Sequence, residues 1–221
     1  MRNLLACATL AVALLPSQDP NLSQRSPGGA LRWAEGAPNA TSEVKNDAKV
    51  EGLKTDDVQI YVSLVDIKDT EYNRVWMQIS NHGKTPIEVD PQSVVLVNVG
   101  KEKTLPAEVA AKAAKAIEKY GEAKSQELSS PKCENMIATQ CQPTNTQIQM
   151  SKQIAAYSAQ QAQWVRDNAI AKTTLAPGDQ AQGVIIFKKE HKAADYIVRC
   201  PIGAQIFEFP VSAQNKAPSY D

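Results

Sequence analysis

Histidine is scarce in this 221-residue chain, which contains only His82 and His191. Both lie in charged, turn-like stretches that offer no further metal ligands, so the sequence shows no histidine-based zinc or copper site. The chain also lacks a Gly-x-Ser-x-Gly segment, a phosphate-binding loop and a paired-carboxylate arrangement. We therefore expect no catalytic residue and no cofactor, and a protein that is not an enzyme.

Acidic residues do not form a complete metal-binding loop either. Asp66, Asp69 and Glu71 could supply oxygen ligands to calcium, but the ligand spacing of an EF-hand loop is absent. A charged hairpin turn between two strands has the same composition. We interpret these residues as such a turn and expect no metal site.

The chain has no net charge at neutral pH, because 24 Lys and Arg residues balance 24 Asp and Glu residues. It also has no basic patch with interleaved aromatic residues. A protein without these features has no long-range attraction for nucleic acid or for an anionic membrane surface. We expect its partner to be an unidentified protein or another component of the cell envelope, and no binding to nucleic acid.

Long apolar runs are missing except for residues 4–15, which follow the single basic residue Arg2. This run is too short to span a bilayer as a helix, and its layout is typical of a secretory signal peptide. We expect residues 1–17 to be that signal peptide and the protein to be periplasmic or extracellular. The alternative is a lipoprotein anchored at Cys7, because Leu-Leu-Ala-Cys resembles a bacterial lipobox, although only six residues precede the cysteine.

Cysteine is also rare: besides Cys7, the chain has Cys133, Cys141 and Cys200. An exported compartment permits disulfides. Because Cys133 and Cys141 share one polar, loop-like stretch, we expect a local disulfide between them. Cys200 lies on the apolar side of an alternating strand, which favours a buried free thiol.

Alternating apolar residues, by contrast, are abundant and predict β-strands in two blocks. Residues 18–56 are mainly polar and predict a disordered leader, in which Trp33 is either an anchor on the domain surface or an isolated exposed side chain. The domain then covers residues 57–212, and residues 213–221 form a flexible tail. Its strand segments are predicted at about 57–64, 73–80, 86–89, 94–99, 182–187, 195–200 and 205–211.

Between these blocks, residues 104–172 predict an inserted α-helical hairpin, with one helix at about 106–128 and a second at about 145–171. The proposed disulfide loop joins them. Two interpretations remain open for the second helix. Its face of six glutamines binds a partner or a glycan, or that face is solvated while an apolar stripe packs on the sheet. The stripe consists of Met150, Ile154, Tyr157, Trp164 and Val165.

Two short segments resemble a known group of domains. One is Asn81-x-Gly83-x-x-Pro86-Ile-x-Val-Asp-Pro, and the other is Leu175-x-Pro-Gly, followed by Gly183-Val-Ile-Ile-Phe. They resemble the immunoglobulin-like extracytoplasmic domains of unknown function in bacterial exported proteins and lipoproteins. Together with the seven strand segments, the resemblance implies a mainly β fold: an immunoglobulin-like sandwich of about seven strands with the helical hairpin inserted.

These observations predict a non-enzymatic binding or structural module of the bacterial cell envelope. The alternative is an extracytoplasmic enzyme, or an enzyme accessory, whose site lies between the hairpin and the sheet. The two differ in what a structure should show. An enzyme needs a concave pocket with convergent polar side chains, whereas a binding module needs an exposed apolar or aromatic patch.

Overall fold

A computed structural model describes residues 29–45, 48–66, 71–130, 142–190 and 195–212 of the chain. Two long helices, α1 (Ala110–Ser129) and α2 (Asn145–Asn168), and a short 3-10 helix (Pro91–Ser93) occur in these residues. The strands are β1 (Leu31–Arg32), β2 (Ala40–Lys45), β3 (Ala48–Lys54), β4 (Val58–Asp66), β5 (Tyr72–Asn81), β6 (Ile87–Val89), β7 (Val95–Asn98), β8 (Lys103–Glu108), β9 (Thr173–Leu175), β10 (Gln180–Lys188), β11 (Asp195–Ile202) and β12 (Gln205–Ser212).

Ten of the described strands form one sheet in the order β1-β12-β11-β7-β8-β10-β5-β4-β3-β2, and β6 pairs with β9 in a small second sheet. Neighbouring strands are antiparallel, except that β1 runs parallel to β12. The large sheet is strongly curled into a half-barrel. The protein is therefore mixed α/β, and the expectation of a seven-stranded immunoglobulin-like sandwich is wrong.

Strand β8 explains why one curled sheet replaces the two sheets of a sandwich. Its residues 103–106 pair with β7, and its last two residues, Ala107 and Glu108, pair with Phe187 and Ile186 of β10. The strand thus passes from one half of the sheet to the other and pairs with both. The sequence pattern predicts that the helical insertion begins at residue 104, so it does not predict β8 as a strand.

Part of the region predicted to be a disordered leader belongs to the sheet. Residues 40–54 contain β2 and β3, and Leu53 is buried in the interior. Trp33 is also buried: its backbone N–H donates to the Glu208 carbonyl at 2.8 Å, and its indole N–H donates to the Thr41 carbonyl at 2.9 Å. Trp33 therefore links strands at the two ends of the sheet, and it belongs to the core cluster of the domain instead of lying on its surface.

The interior of the curl holds the main apolar core. Alternate residues of β4 and β5 point into it, as the period-two pattern predicts. Cys200 is buried there with a free thiol, which confirms that prediction, and burial raises the pKa of the thiol. Large buried side chains facing this interior are Leu53, Ile60, Met77, Ile79, Leu96, Phe187, Tyr196, Phe207 and Phe209.

Asn81 ties together the two segments that carry the sequence motifs. Its buried side-chain amide donates to the carbonyls of Thr85 and Leu175, both at 2.9 Å, and its side-chain oxygen accepts from the Gly83 N–H at 2.9 Å. Its backbone carbonyl accepts from the Gly178 N–H at 2.8 Å. The two turns therefore lie side by side at the end of β5.

Replacing Asn81 with alanine should destabilise the fold by about 2–4 kcal/mol, because three side-chain hydrogen bonds are lost and buried polar groups are left unpaired. Urea unfolding of the purified variant measures the change. The control is Asn145→Ala, at an exposed position in the first turn of α2, which should change stability by less than about 0.5 kcal/mol. Equal, small effects of the two substitutions would contradict the role given to Asn81.

Glu208 on β12 holds an ion cluster on the outer face of the sheet. Arg32 donates from Nε and Nη2 to one carboxylate oxygen at 2.9 and 2.7 Å, and Arg199 donates in the same way to the other oxygen. Only 1% of the Glu208 side chain is exposed. Burial by itself raises the pKa of Glu208, but the two arginines outweigh burial and hold that pKa below its ordinary value.

The substitution Glu208→Gln should cost about 2 kcal/mol near neutral pH, less than for a completely buried ion pair because both arginines are partly exposed. A lowered carboxyl pKa stabilises the fold above the pKa of the unfolded chain, about 4.3, and this contribution is lost as the pH falls through the folded pKa. The difference in unfolding free energy between Glu208→Gln and the natural protein should therefore shrink below about pH 4.

Urea unfolding at several pH values measures this difference. The control is Glu122→Gln, at an exposed position on α1. It should change stability little at any of these pH values, because an exposed charge contributes little. A Glu208→Gln effect that stays the same across the pH range would show that the carboxylate charge is not what holds the arginines in place.

Candidate functional site

The predicted helical hairpin is present, and its two helices, α1 and α2, are called the arm below. The helices are antiparallel: Glu118 forms an ion pair with Arg166 at 2.9 Å, whereas the hydroxyl oxygens of Ser125 and Ser151 lie 2.7 Å apart. The arm leaves the sheet after β8 and returns to it before β9. Its base is therefore made of the start of α1 and the end of α2.

The base of the arm packs on the outer face of the sheet through apolar side chains. Val184 and Ile186 of β10 are buried there, with Tyr72 and Trp76 of β5 beside them. Because adjacent residues of a strand point to opposite faces, Ile185 and Phe187 face the main core instead. The helical residues that complete the cluster at the base are Ala110, Ala113, Ala114, Ile117, Ala162 and Val165.

The end of α2 approaches the sheet very closely at Gly183. A Cβ atom at this position would lie 2.4 Å from the Asn168 carbonyl oxygen, so only glycine fits without a shift. The backbone N–H of Ile170 then donates to the Val184 carbonyl at 3.1 Å. These contacts fix the point at which the arm joins β10.

Farther from the sheet, the two helices pack on each other through small side chains. Gly121 of α1 faces Ser158 of α2, and a Cβ added to Gly121 would lie 2.2 Å from both the Cβ and the Oγ of Ser158. Ser125 and Ser151 meet next along the arm. Such contacts bury little apolar surface, so the outer half of the arm gains little stability from the hydrophobic effect.

A capping box stabilises the start of α2, at the far end of the arm. The Thr144 hydroxyl accepts from the Gln147 backbone N–H at 3.2 Å, and the Gln147 side-chain oxygen accepts from the Thr144 backbone N–H at 2.8 Å. A cap of this kind contributes about 1 kcal/mol to a helix. The sequence therefore stabilises α2 locally at the end that lies away from the sheet.

Three large apolar side chains of α2 remain exposed: Met150, Tyr157 and Trp164, with 49%, 46% and 37% of their surface accessible. They are called the exposed stripe. Each lies seven positions after the previous one, and this spacing places them in a line along one face of the helix. Trp164, nearest the sheet, also stacks on Arg74, whose guanidinium carbon lies 4.5 Å from the centre of the ring.

Few charged residues of α2 lie near the exposed stripe. α2 contains only Lys152, Arg166 and Asp167 as charged residues, whereas α1 contains seven. Lys152 and Arg166 each follow a stripe residue by two positions, which places them about 200° around the helix. Asp167 belongs to the last turn, near the sheet. The residues that flank the stripe include the uncharged amides Gln147, Gln153, Gln160 and Gln161.

Of the two interpretations of the second helix, the one in which its apolar stripe packs on the sheet does not hold for Met150 and Tyr157, which are exposed. The buried positions on α2 are displaced by one residue and include Ser151 and Ser158. The cause is Gly121, which brings α1 so close that only small side chains fit between the helices. Two serines seven residues apart on one helix, with a glycine on the other, were the sequence signal for this close packing.

Other candidate residues from the sequence do not come together in the described part of the chain. The Glu71 carboxylate lies 3.7 Å from the Lys188 ammonium group, and His82 Nε2 lies 3.2 Å from the Gln59 side-chain oxygen. Within the described ranges, no group of three His, Cys, Asp or Glu side chains could hold a metal ion. Neither residue therefore has the partners that a metal site requires.

Several predictions concern parts of the chain outside the described residues, and they remain predictions. The signal peptide (1–17) and the tail (213–221) are two of them. The others concern the proposed lipid attachment at Cys7, the disulfide between Cys133 and Cys141, the side chain of Asp66, and the residues Asp69 and His191.

A groove of about 640 Å³ lies away from the arm, where β4 and β12 begin. Its lining includes Lys54, Asp56 and Asp57, but no histidine, cysteine or serine. The Thr55 hydroxyl in this lining donates to the Val58 carbonyl at 3.1 Å and accepts from the Val58 N–H at 3.0 Å, so it is engaged in a local turn. The exposed stripe on the arm is the stronger candidate for a functional surface.

The described structure defines a curled ten-stranded sheet with a helical arm. Neither α1 nor α2 combines the length and the apolar character that a membrane crossing would need. No family model, no curated protein and no solved structure matches the chain. The resemblance to immunoglobulin-like extracytoplasmic domains therefore gains no support, and the sandwich that it implies is not the fold of this chain.

Replacing Gly121 with alanine should loosen the arm, although alanine is by about 1 kcal/mol the better helix former. The added methyl group would overlap Ser158, so the helices must separate, at a cost of about 1–3 kcal/mol. Hydrogen exchange of the backbone amides should become faster in α1 and α2 and stay unchanged in β4 and β5. The exposed substitution Glu122→Ala serves as the control, and slower exchange in Gly121→Ala would contradict the close packing.

Proposed function

We propose that this protein is a non-enzymatic, exported binding or structural module of the bacterial cell envelope, and that its arm contacts the partner. The observation that carries the proposal is the exposed stripe of Met150, Tyr157 and Trp164. Tyrosine, tryptophan and methionine are enriched at protein interfaces, and tyrosine and tryptophan often contribute much of the binding energy there. Three such residues in line form a surface that a partner helix or strand can cover.

The shape of the arm supports this role. A helix of 24 residues is about 36 Å long, and the α2 residues in the cluster at the base, Ala162 and Val165, lie near its C-terminal end. The sheet therefore holds the arm at one end, and Met150 and Tyr157 lie along the part beyond that base. A surface presented in this way is accessible to a large partner.

The chemistry of the surroundings also suits a protein partner. Glutamine side chains beside the exposed stripe both donate and accept hydrogen bonds, so they can form a polar rim around an apolar contact. On α2 itself, no lysine or arginine flanks the stripe, although Arg74 of β5 stacks on Trp164 at the end nearest the sheet. A neutral rim with an aromatic centre favours recognition by shape and by hydrogen bonds.

The alternative, an enzyme or enzyme accessory with its site between the hairpin and the sheet, receives less support. The described residues at that place are mainly alanine, valine and isoleucine, and they are packed as a core. A catalytic site requires convergent polar groups beside a cavity. The proposal of a binding module is therefore the one that the geometry favours.

Site-specific photo-crosslinking in the native cell tests the proposal. A photoreactive amino acid at position 157 should form an adduct in the envelope fraction, whereas the same residue at position 159, exposed and about 200° around the helix, should not. Mass spectrometry identifies the adduct. The absence of any adduct at position 157, equal adducts at both positions, or recovery of the chain only from the cytoplasm would each contradict the proposal.

A further inference from the structure

The exposed stripe has a symmetry that bears on the identity of the partner. Met150 and Trp164 lie at equal distances, seven residues, on either side of Tyr157. Seven residues of helix correspond to about 10 Å. If a second α2 lies antiparallel on the first with the two Tyr157 side chains at the centre, Met150 of each helix lies opposite Trp164 of the other. The surface is therefore complementary to itself, as a two-fold contact between identical chains requires.

The facing residues also form favourable pairs. A methionine sulfur against an aromatic ring is an attractive contact, and so is a pair of tyrosine rings in an offset or edge-to-face arrangement. Trp164 keeps 37% of its surface exposed although it stacks on Arg74, so its ring is accessible to a second copy. The antiparallel arrangement also sets the two helix dipoles in opposite directions, which is electrostatically favourable.

The distribution of charge around the exposed stripe also favours a second copy of this chain as the partner. A charged face repels a copy of itself, because every charge meets a charge of its own sign near the two-fold axis. Lys152 and Arg166 lie about 200° around the helix from stripe residues, and the flanking side chains of α2 include several neutral amides. Arg74, the cation that stacks on Trp164, lies about 10 Å along the helix from Tyr157 at the axis. Two copies of this face can therefore approach without repulsion and exchange hydrogen bonds between glutamines.

The packing inside the arm gives a physical reason for pairing. The contacts between the outer halves of α1 and α2 involve Gly121, Ser125, Ser151 and Ser158, which bury little apolar surface. Helices without tertiary packing are marginally stable in water. Pairing of two arms would produce a four-helix arrangement in which Met150 and Tyr157 form the missing apolar core.

We infer that the partner of the arm is a second copy of this chain, joined through an antiparallel α2–α2 contact centred on Tyr157. The inference deepens the proposed function, on which it rests, because it names the occupant of the same surface. The dimer is held by the two Tyr157 side chains and by two Met150–Trp164 contacts. The sheets of the two copies lie at opposite ends of the paired arms.

The mass of the purified full chain in solution tests whether the dimer forms. Light scattering coupled to size-exclusion chromatography, over about 1–100 µM, should give a mass that rises from one chain toward two, because contacts of this modest size are of moderate strength. Tyr157→Glu should give the monomer mass over the whole range, since it places two like charges at the axis. A monomeric natural chain at every concentration, or a dimeric Tyr157→Glu variant, would overturn the inference.

A matched control separates loss of pairing from loss of folding. Ala159→Glu introduces the same charge at an exposed position about 200° away from Tyr157, and this variant should remain dimeric. Circular dichroism should show the same helix content for both variants at a concentration at which the natural chain is monomeric. Dissociation of Ala159→Glu to the same extent as Tyr157→Glu would show that the contact is not on the face of the exposed stripe.

Disulfide trapping tests the antiparallel register. In a chain with Cys7, Cys133 and Cys141 replaced by serine, the buried Cys200 is inaccessible to oxidants and can be kept. Tyr157→Cys should then form a disulfide-linked dimer by itself, at the axis. Met150→Cys and Trp164→Cys should not do so alone, but should form a mixed dimer when combined. Homodimers linked through position 150 would instead indicate parallel helices and overturn the register.

The outcomes distinguish this inference from the proposed function. Photo-adducts of position 157 that contain only another protein, together with a monomeric purified chain, would keep the arm as a binding surface and overturn self-association. Adducts with a mass of two chains would support both. The absence of any adduct together with a monomeric chain would overturn both.

Discussion

Strand β10 is buried on both of its faces, and the architecture depends on this double burial. Its residues 184–187 are all apolar and alternate between the main core and the base of the arm. Ile185 and Phe187 face the main core in the middle of the curled sheet. Val184 and Ile186 form the apolar surface on which α1 and α2 pack. A polar residue at either outward position would leave the helices without a surface to cover, so one short apolar run supports both the fold and the candidate site.

Some of the fold could be predicted from the sequence because its patterns are local. The alternation in β4, β5 and β11 and the helical pattern of the arm are properties of neighbouring residues, and the sequence predicts these strands and helices correctly. The pairing of these strands into one continuous sheet was not predicted. β8 is a strand that pairs on both sides, but it lies next to a helix and contains Pro106, so its sequence suggests the end of the sheet. β2 has mostly exposed side chains and offers no apolar alternation at all.

The candidate site shows the same division between local and non-local information. The sequence indicates an amphipathic second helix with a glutamine-rich face, and it indicates which large residues share a stripe. It does not indicate that the stripe stays exposed, because the usual expectation is that the largest apolar side chains are buried. The approach of α1 at Gly121 reverses that expectation: the space between the helices admits only serine and alanine, and the tyrosine and methionine are turned outward. A contact between two distant segments thus decides which face a helix presents.

The position of Trp33 also has a consequence for how the chain folds. Its indole contacts the second strand of the chain, while its backbone pairs with the last described strand, and the neighbouring Arg32 reaches Glu208 across 176 positions of sequence. During synthesis, Trp33 emerges from the ribosome well before β12. The curl therefore cannot close before β12 has emerged, and β1 remains without its partner strand until then. Contacts of such large sequence separation make folding slow.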